Sequence, residues 1–144
     1  MTENTRDQRI DDFPYRMSIP TRWGDNDMLG HVNNVIYYRF FEAIAVRFLT
    51  EEVGVDWSNS CEHPNMVESL CRFHRSLKYP DVVEAGLRVE KIGTSSVTFT
   101  IAVFGPGHIE PAATGHVVEV FVNADEGKSV PISAQHRVKF EAHS

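Results

Sequence analysis

The chain has 144 residues, 42% of them apolar and 24% charged, and carries a formal net charge of −6 from 20 acidic and 14 basic residues. That size suits one domain, the composition excludes wholesale disorder, and the acidic balance argues against a nucleic-acid partner. There is no run of about 18 apolar residues to span a membrane, no apolar signal-peptide core, and no zinc-type spacing among Cys61, Cys71 and the seven scattered histidines, so a cytoplasmic protein with reduced thiols and neither metal nor cofactor is expected.

Residues 1–12 are polar and charged and are expected to form a flexible N-terminal segment ahead of a single domain at 13–144. Tyr15, Met17 and Ile19 alternate with Arg16, Ser18 and Pro20, the pattern of a short strand that ends at the proline. A polar, glycine-containing stretch covers 21–34. From 35 to 49 only Arg39, Glu42 and Arg47 interrupt apolar and aromatic residues, with no Gly or Pro. The length predicts a helix capped by Asn33, and its nearly continuous apolar surface predicts burial all round.

The second half has a different rhythm. A strand is expected over 66–75. Val83, Ala85, Leu87 and Val89 alternate with polar neighbours, Gly93-Thr94-Ser95 marks a turn, and Val97, Phe99, Ile101 and Val103 alternate again. After a Gly/Pro-rich turn at 105–111, the run 112–122 places Val118, Val120 and Val122 on one face. Residues 132–140 fit either a terminal helix or an edge strand. Period-two runs joined by short turns predict an antiparallel meander. The resulting α+β fold is an antiparallel sheet wrapped around one long central helix.

The densest polar cluster immediately precedes that helix: Arg22-Trp23-Gly24-Asp25-Asn26-Asp27-Met28-Leu29-Gly30-His31-Val32-Asn33-Asn34. Such a segment suits a capped polar loop rich in Asx-turns. It also suits a reaction site, because a helix N-terminus presents unpaired N–H groups that can stabilise an oxyanion, and a carboxylate beside it can act on an acyl carbon. Composition alone leaves both readings open.

The segment Asp25-Asn26-Asp27-Met28-Leu29-Gly30-His31-Val32-Asn33-Asn34, followed by Tyr37 or Tyr38 and then Glu42, resembles the DxDxxGHVNNxxY…E signature of hotdog-fold thioesterases of the 4-hydroxybenzoyl-CoA thioesterase-like group. Arg75 to Asp81, Gly93 to Ser96, Ala113-Thr114-Gly115 and Pro131-Ile132-Ser133 resemble later family turns more weakly, and the resemblance spans about residues 13–140.

The resemblance implies a hotdog fold and an acyl-CoA thioesterase acting without metal. Asp27 would be nucleophile or general base, Gly30 the turn beside the substrate, and the Asn34 backbone N–H the group polarising the carbonyl. His31, where other members carry an apolar residue, would orient the loop or a water. Asp25 would hold the loop, and Glu42 would be a structural partner of Arg47 or of a neighbouring subunit. Tyr37, Arg75, Lys91, Ser95 and Ser96 would contact substrate, in a homodimer or homotetramer whose site lies between subunits. An acyl-carrier-protein thioesterase and a non-catalytic acyl-thioester binder are the alternatives.

Overall fold

The computed structural model describes residues 5–144. Strand β1 (Tyr15–Pro20) leads through the polar loop into helix α1 (Asn34–Phe48), which continues as a wider π turn over Leu49–Val53 and stops at Gly54 with φ of 80°. Four long strands follow, β2 (His63–Phe73), β3 (Val82–Ile92), β4 (Ser96–Phe104) and β5 (Ala113–Asn123), then the two-residue β6 (Lys128–Ser129) and helix α2 (Ala134–Glu141). The sheet is antiparallel throughout, in the order β1-β3-β4-β5-β2, with β6 also on β5. It curls around α1, as the sequence pattern anticipates.

The alternation fixes the inner face. Val83, Ala85, Leu87 and Val89 of β3 and Val97, Phe99, Ile101 and Val103 of β4 are buried with Phe40, Phe41, Ile44, Ala45 and Phe48 of α1. On β5 the inward residues are Val117, Glu119 and Phe121, whereas Val118, Val120 and Val122 lie on the half-exposed outer face. The valine stripe seen in the sequence is therefore the outer one, and an acid occupies the core side.

Residues 132–140 resolve as helix. The Ser133 hydroxyl accepts from the His136 N–H at 3.3 Å, capping α2, and the His136 ring lies 2.8 Å from Glu62. Phe140 then closes an aromatic cluster with Phe48, Phe99 and Phe121.

Three features add to the sequence reading or depart from it. Packing begins upstream of Phe13: Thr5–Asp7 and Ile10–Asp12 form short 3-10 turns, and residues 1–4 of the expected flexible segment lie outside the described residues. Phe13 itself is fully buried on the outer sheet face, where the missing side chain of Gly86 makes room; a Cβ there would meet the Phe13 ring at 2.6 Å. The Arg88 guanidinium lies 5.2 Å from the same ring.

Second, α1 is buried on one side only. Val35, Tyr38, Arg39, Glu42, Val46 and Arg47 form an exposed stripe, because one sheet of this width covers one face of a helix. Third, Arg47 pairs with Glu51 at 3.1 Å, one helical turn on, and not with Glu42. No helix among the described residues is long and apolar enough to cross a membrane, and both cysteines are free thiols.

Candidate active site

The loop between β1 and α1 is held at both ends. At its start, the Thr21 N–H and hydroxyl donate to the Asp81 carbonyl at 3.0 and 2.6 Å, tying it to the β2–β3 connection. Asp25, only 2% exposed, accepts from the Arg22 N–H at 2.8 Å and from its guanidinium at 3.0 and 3.2 Å, with Arg39 of α1 at 3.8 Å. Its carbonyl also accepts from the Asn33 N–H at 2.9 Å. A buried carboxylate so fully engaged is a scaffold. Asp25→Ala removes the buried acceptor of the Arg22 N–H and guanidinium and lowers stability by about 1–3 kcal/mol. Denaturant unfolding at neutral pH checks this, and a midpoint equal to wild type contradicts it.

Further along, the loop folds back on itself. The Asp27 N–H donates to the His31 carbonyl at 2.9 Å, and the Gly30 N–H donates to the Asp27 carbonyl at 3.1 Å. Gly30 has φ of 80°, in the left-handed region that a side chain would penalise. The turn leaves Asp27 half-buried, with Oδ1 accepting from the Leu29 N–H at 2.9 Å and Oδ2 unbonded among the described residues. The Val32 N–H donates to the Leu77 carbonyl at 2.8 Å, which fastens the loop to the chain leaving β2.

At the start of α1, the Asn33 side chain accepts from the Val35 N–H at 3.0 Å and the Asn33 carbonyl from the Ile36 N–H at 2.9 Å. Two of the orphan donors of the first turn are thereby satisfied. The Asn34 N–H remains without a partner among the described residues. Asn34 lines a cleft of about 330 Å³ together with Asp27, His31, Tyr37, Phe73 and Arg75. One carboxylate oxygen and one helix-terminal donor are thus both uncommitted in the same cleft.

The sequence-predicted residues fall into two groups. Asp27, His31, Asn34, Tyr37 and Arg75 line the cleft, and Gly30 shapes its rim. Tyr37 serves as a wall: its ring packs 5.2 Å from Phe73, and its hydroxyl donates to the Arg75 carbonyl at 3.1 Å, while burial raises the pKa of that hydroxyl. Lys91, Ser95 and Ser96 lie elsewhere, around the β3–β4 turn. Strands of nine to eleven residues put that turn about 30 Å from the cleft within one chain.

Phe73, His74 and Ser76 complete the lining and were not singled out from the sequence. Their signal is long-range: β2 must run antiparallel along α1 for its last residues to reach the helix start. His74 bonds the Thr114 hydroxyl at 2.9 Å, and burial lowers its pKa. Cys71, on β2, is pushed up to about 12 by burial, so its thiol stays protonated and unsuited to nucleophilic attack. No group of three or more His, Cys, Asp or Glu residues able to hold a metal ion occurs among the described residues.

Known proteins share this fold. The family model of the thioesterase-like superfamily matches residues 21–140. The Bacillus subtilis (strain 168) protein YsmA is 25% identical over 119 residues, covering 82% of this chain and 79% of its own. The crystal structure of the PA5185 protein from Pseudomonas aeruginosa strain PAO1 matches with a TM-score of 0.89 at 35% identity, over 94% of this chain and 95% of that one. A thioesterase from Thermus thermophilus, solved with coenzyme A and zinc, matches with a TM-score of 0.79 at 28% identity, over 90% and 93%.

Proposed function

Since the chain belongs to the thioesterase-like superfamily, we propose that it hydrolyses an acyl-CoA thioester to the free carboxylic acid and coenzyme A. The observation that carries this reading is the pairing, in one cleft, of an Asp27 oxygen and an Asn34 N–H that have no other partner among the described residues. The thioester carbonyl accepts from the Asn34 N–H, whose position at the helix start adds the favourable end of the dipole. Asp27 then attacks the carbonyl carbon, or takes a proton from a water that does so. The carbonyl electrons move onto oxygen, the tetrahedral intermediate collapses, and the C–S bond breaks. Coenzyme A leaves as the thiol once a proton reaches sulfur. In the nucleophile route, a water then releases the acid from the Asp27 anhydride. Gly30 shapes the turn that brings this carboxylate to the cleft, and His31 at its mouth orients the loop or the water.

A related thioesterase binds coenzyme A, which supports the same carrier here. Arg75, exposed at the cleft and without an ion pair among the described residues, suits an anionic substrate approaching a protein of net charge −6.

Two copies are part of this reading. Strand β2 is an edge strand whose outer side has no partner among the described residues, and α1 leaves open a stripe of apolar residues interleaved with Arg39, Glu42 and Arg47. Antiparallel pairing of two β2 strands about a two-fold axis reverses the ends of the second sheet. That operation carries Lys91, Ser95 and Ser96 of the second copy to the end of the assembly where Asp27 lies. Sedimentation is expected to give at least twice the 16.3 kDa chain mass, and a monomer at micromolar concentration with full activity excludes the shared site.

The test of function is hydrolysis measured over a panel of acyl-CoA thioesters, with the same acyl groups on acyl-carrier protein alongside. Turnover of at least one acyl-CoA that is faster than its carrier-protein counterpart supports the reading. Faster turnover of the carrier-protein thioester reassigns the carrier, and binding without turnover across the panel leaves an acyl-thioester binding protein.

A further inference from the structure

The catalytic cleft does not end at His31. A second cleft of about 400 Å³ shares His31 and Ser76 with the first and continues past Lys78 to His108. Three side chains able to carry positive charge, His31, Lys78 and His108, line this outer part; the carboxylate there, Asp81, accepts from the Lys78 N–H at 3.1 Å. The Lys78 ammonium has no ion pair among the described residues.

Next to Lys78 stands a pair of exposed aromatics. Trp23 is 78% exposed and meets Tyr79 edge to face, with centroids 5.8 Å apart. Neither is on a loose tip. The Tyr79 N–H donates to the Asn26 side chain at 3.1 Å, fixing that turn to the catalytic loop. Trp23 sits in the turn Trp23–Asp25, anchored by the buried Asp25 carboxylate and its pairing with Arg22. A rigid indole held in water beside the unpaired Lys78 ammonium is matched to a flat aromatic ring attached to phosphates.

We propose that this outer end is a nucleotide subsite, in which the adenine of coenzyme A stacks on the Trp23–Tyr79 pair and its phosphates lie over Lys78, His108 and His31. The inference rests on the thioesterase reading and deepens it by selecting the carrier. A phosphopantetheine arm on a carrier protein has no adenine, so the aromatic pair would give it nothing. It also locates the positive patch that an acidic protein needs for an anionic substrate.

The experiment uses the full chain. Trp57, at the other end of β2 and bonded to the Thr50 hydroxyl, is replaced in a Trp57→Phe background so that Trp23 is the sole indole. Saturable quenching by coenzyme A and by adenosine 3′,5′-bisphosphate, but not by pantetheine, is expected. Trp23→Ala should raise KM for an acyl-CoA about tenfold relative to KM for the matching acyl-pantetheine, with kcat changed little. Lys78→Ala should raise the same ratio and weaken its dependence on salt. Quenching that is indifferent to adenine, or an equal effect of Trp23→Ala on both substrates, overturns the subsite. If no thioester is hydrolysed, the function fails, while the adenosine bisphosphate titration still decides the subsite.

Discussion

Asp27→Asn should lower kcat for acyl-CoA hydrolysis by about 10³-fold while leaving the thermal midpoint within a few degrees of wild type. The substitution preserves shape and the one hydrogen bond that the side chain makes, because an amide oxygen can accept from the Leu29 N–H as Oδ1 does at 2.9 Å. It removes the negative oxygen needed either to attack the carbonyl or to deprotonate water. The loop's anchors lie elsewhere, at Asp25, Thr21 and Val32, so their hydrogen bonds persist. Steady-state turnover together with a melting curve separates the two readouts. Turnover near wild type removes Asp27 from the mechanism.

The two acids two residues apart should therefore fail in opposite ways. Asp25, at 2% exposure and held by Arg22, affects stability when removed; Asp27, with a free oxygen in the cleft, affects chemistry. In the isosteric variant, single turnover in isotopically labelled water separates the residual routes. In the wild type, label entering the Asp27 carboxylate marks an anhydride opened at Asp27 Cγ, whereas label confined to the product acid fits either base catalysis or an anhydride opened at its acyl carbon.

The parts of this design written locally were legible in the sequence. The turn at Gly30, the cap at Asn33 and the donor at Asn34 fall within five consecutive positions, so motif and site coincide. Strand and helix positions followed from periods of two and from an uninterrupted apolar run. What could not be read was the sense of the alternation. A period of two separates two faces without saying which is inside, and Val118, Val120 and Val122 proved to be outside with Glu119 within.

The same holds for sheet order. Because β2 leaves the chain after α1 but docks beside β5, its end brings Phe73 and His74 to the helix start, far along the chain from the motif. Lys91, Ser95 and Ser96 went the other way for the reason that hairpins alternate ends: β3 begins near the cleft, so its far turn is remote from it. The open stripe of α1 has a similar origin, since hydrophobicity of a helix does not distinguish burial under its own sheet from burial against another chain.

Glu119 gives the largest expected pH effect. It is 4% exposed, points inward between Met66 of β2 and Val97 of β4, and makes no hydrogen bond or ion pair among the described residues. Burial first, and the nearby charge of Glu42 second, push its carboxyl up from 4.5 to about 7. A folded-state value above the unfolded one means that the neutral acid is the form the core accepts. Its contribution is fully present below about pH 4.5 and is lost as the pH rises through about 7, a loss of roughly 3 kcal/mol.

Glu119→Gln retains the neutral shape and cannot ionise. Its thermal midpoint should match wild type near pH 5 and exceed it by roughly 5–10 °C at pH 8. Taking the difference between the two proteins at each pH cancels the other carboxylates. Glu42→Gln should recover only a minor part of the alkaline loss, because burial is the larger cause and that variant leaves it in place. Melting curves of wild type and Glu119→Gln that run parallel from pH 5 to 8 would show that the Glu119 carboxylate is accommodated in the core as an ion.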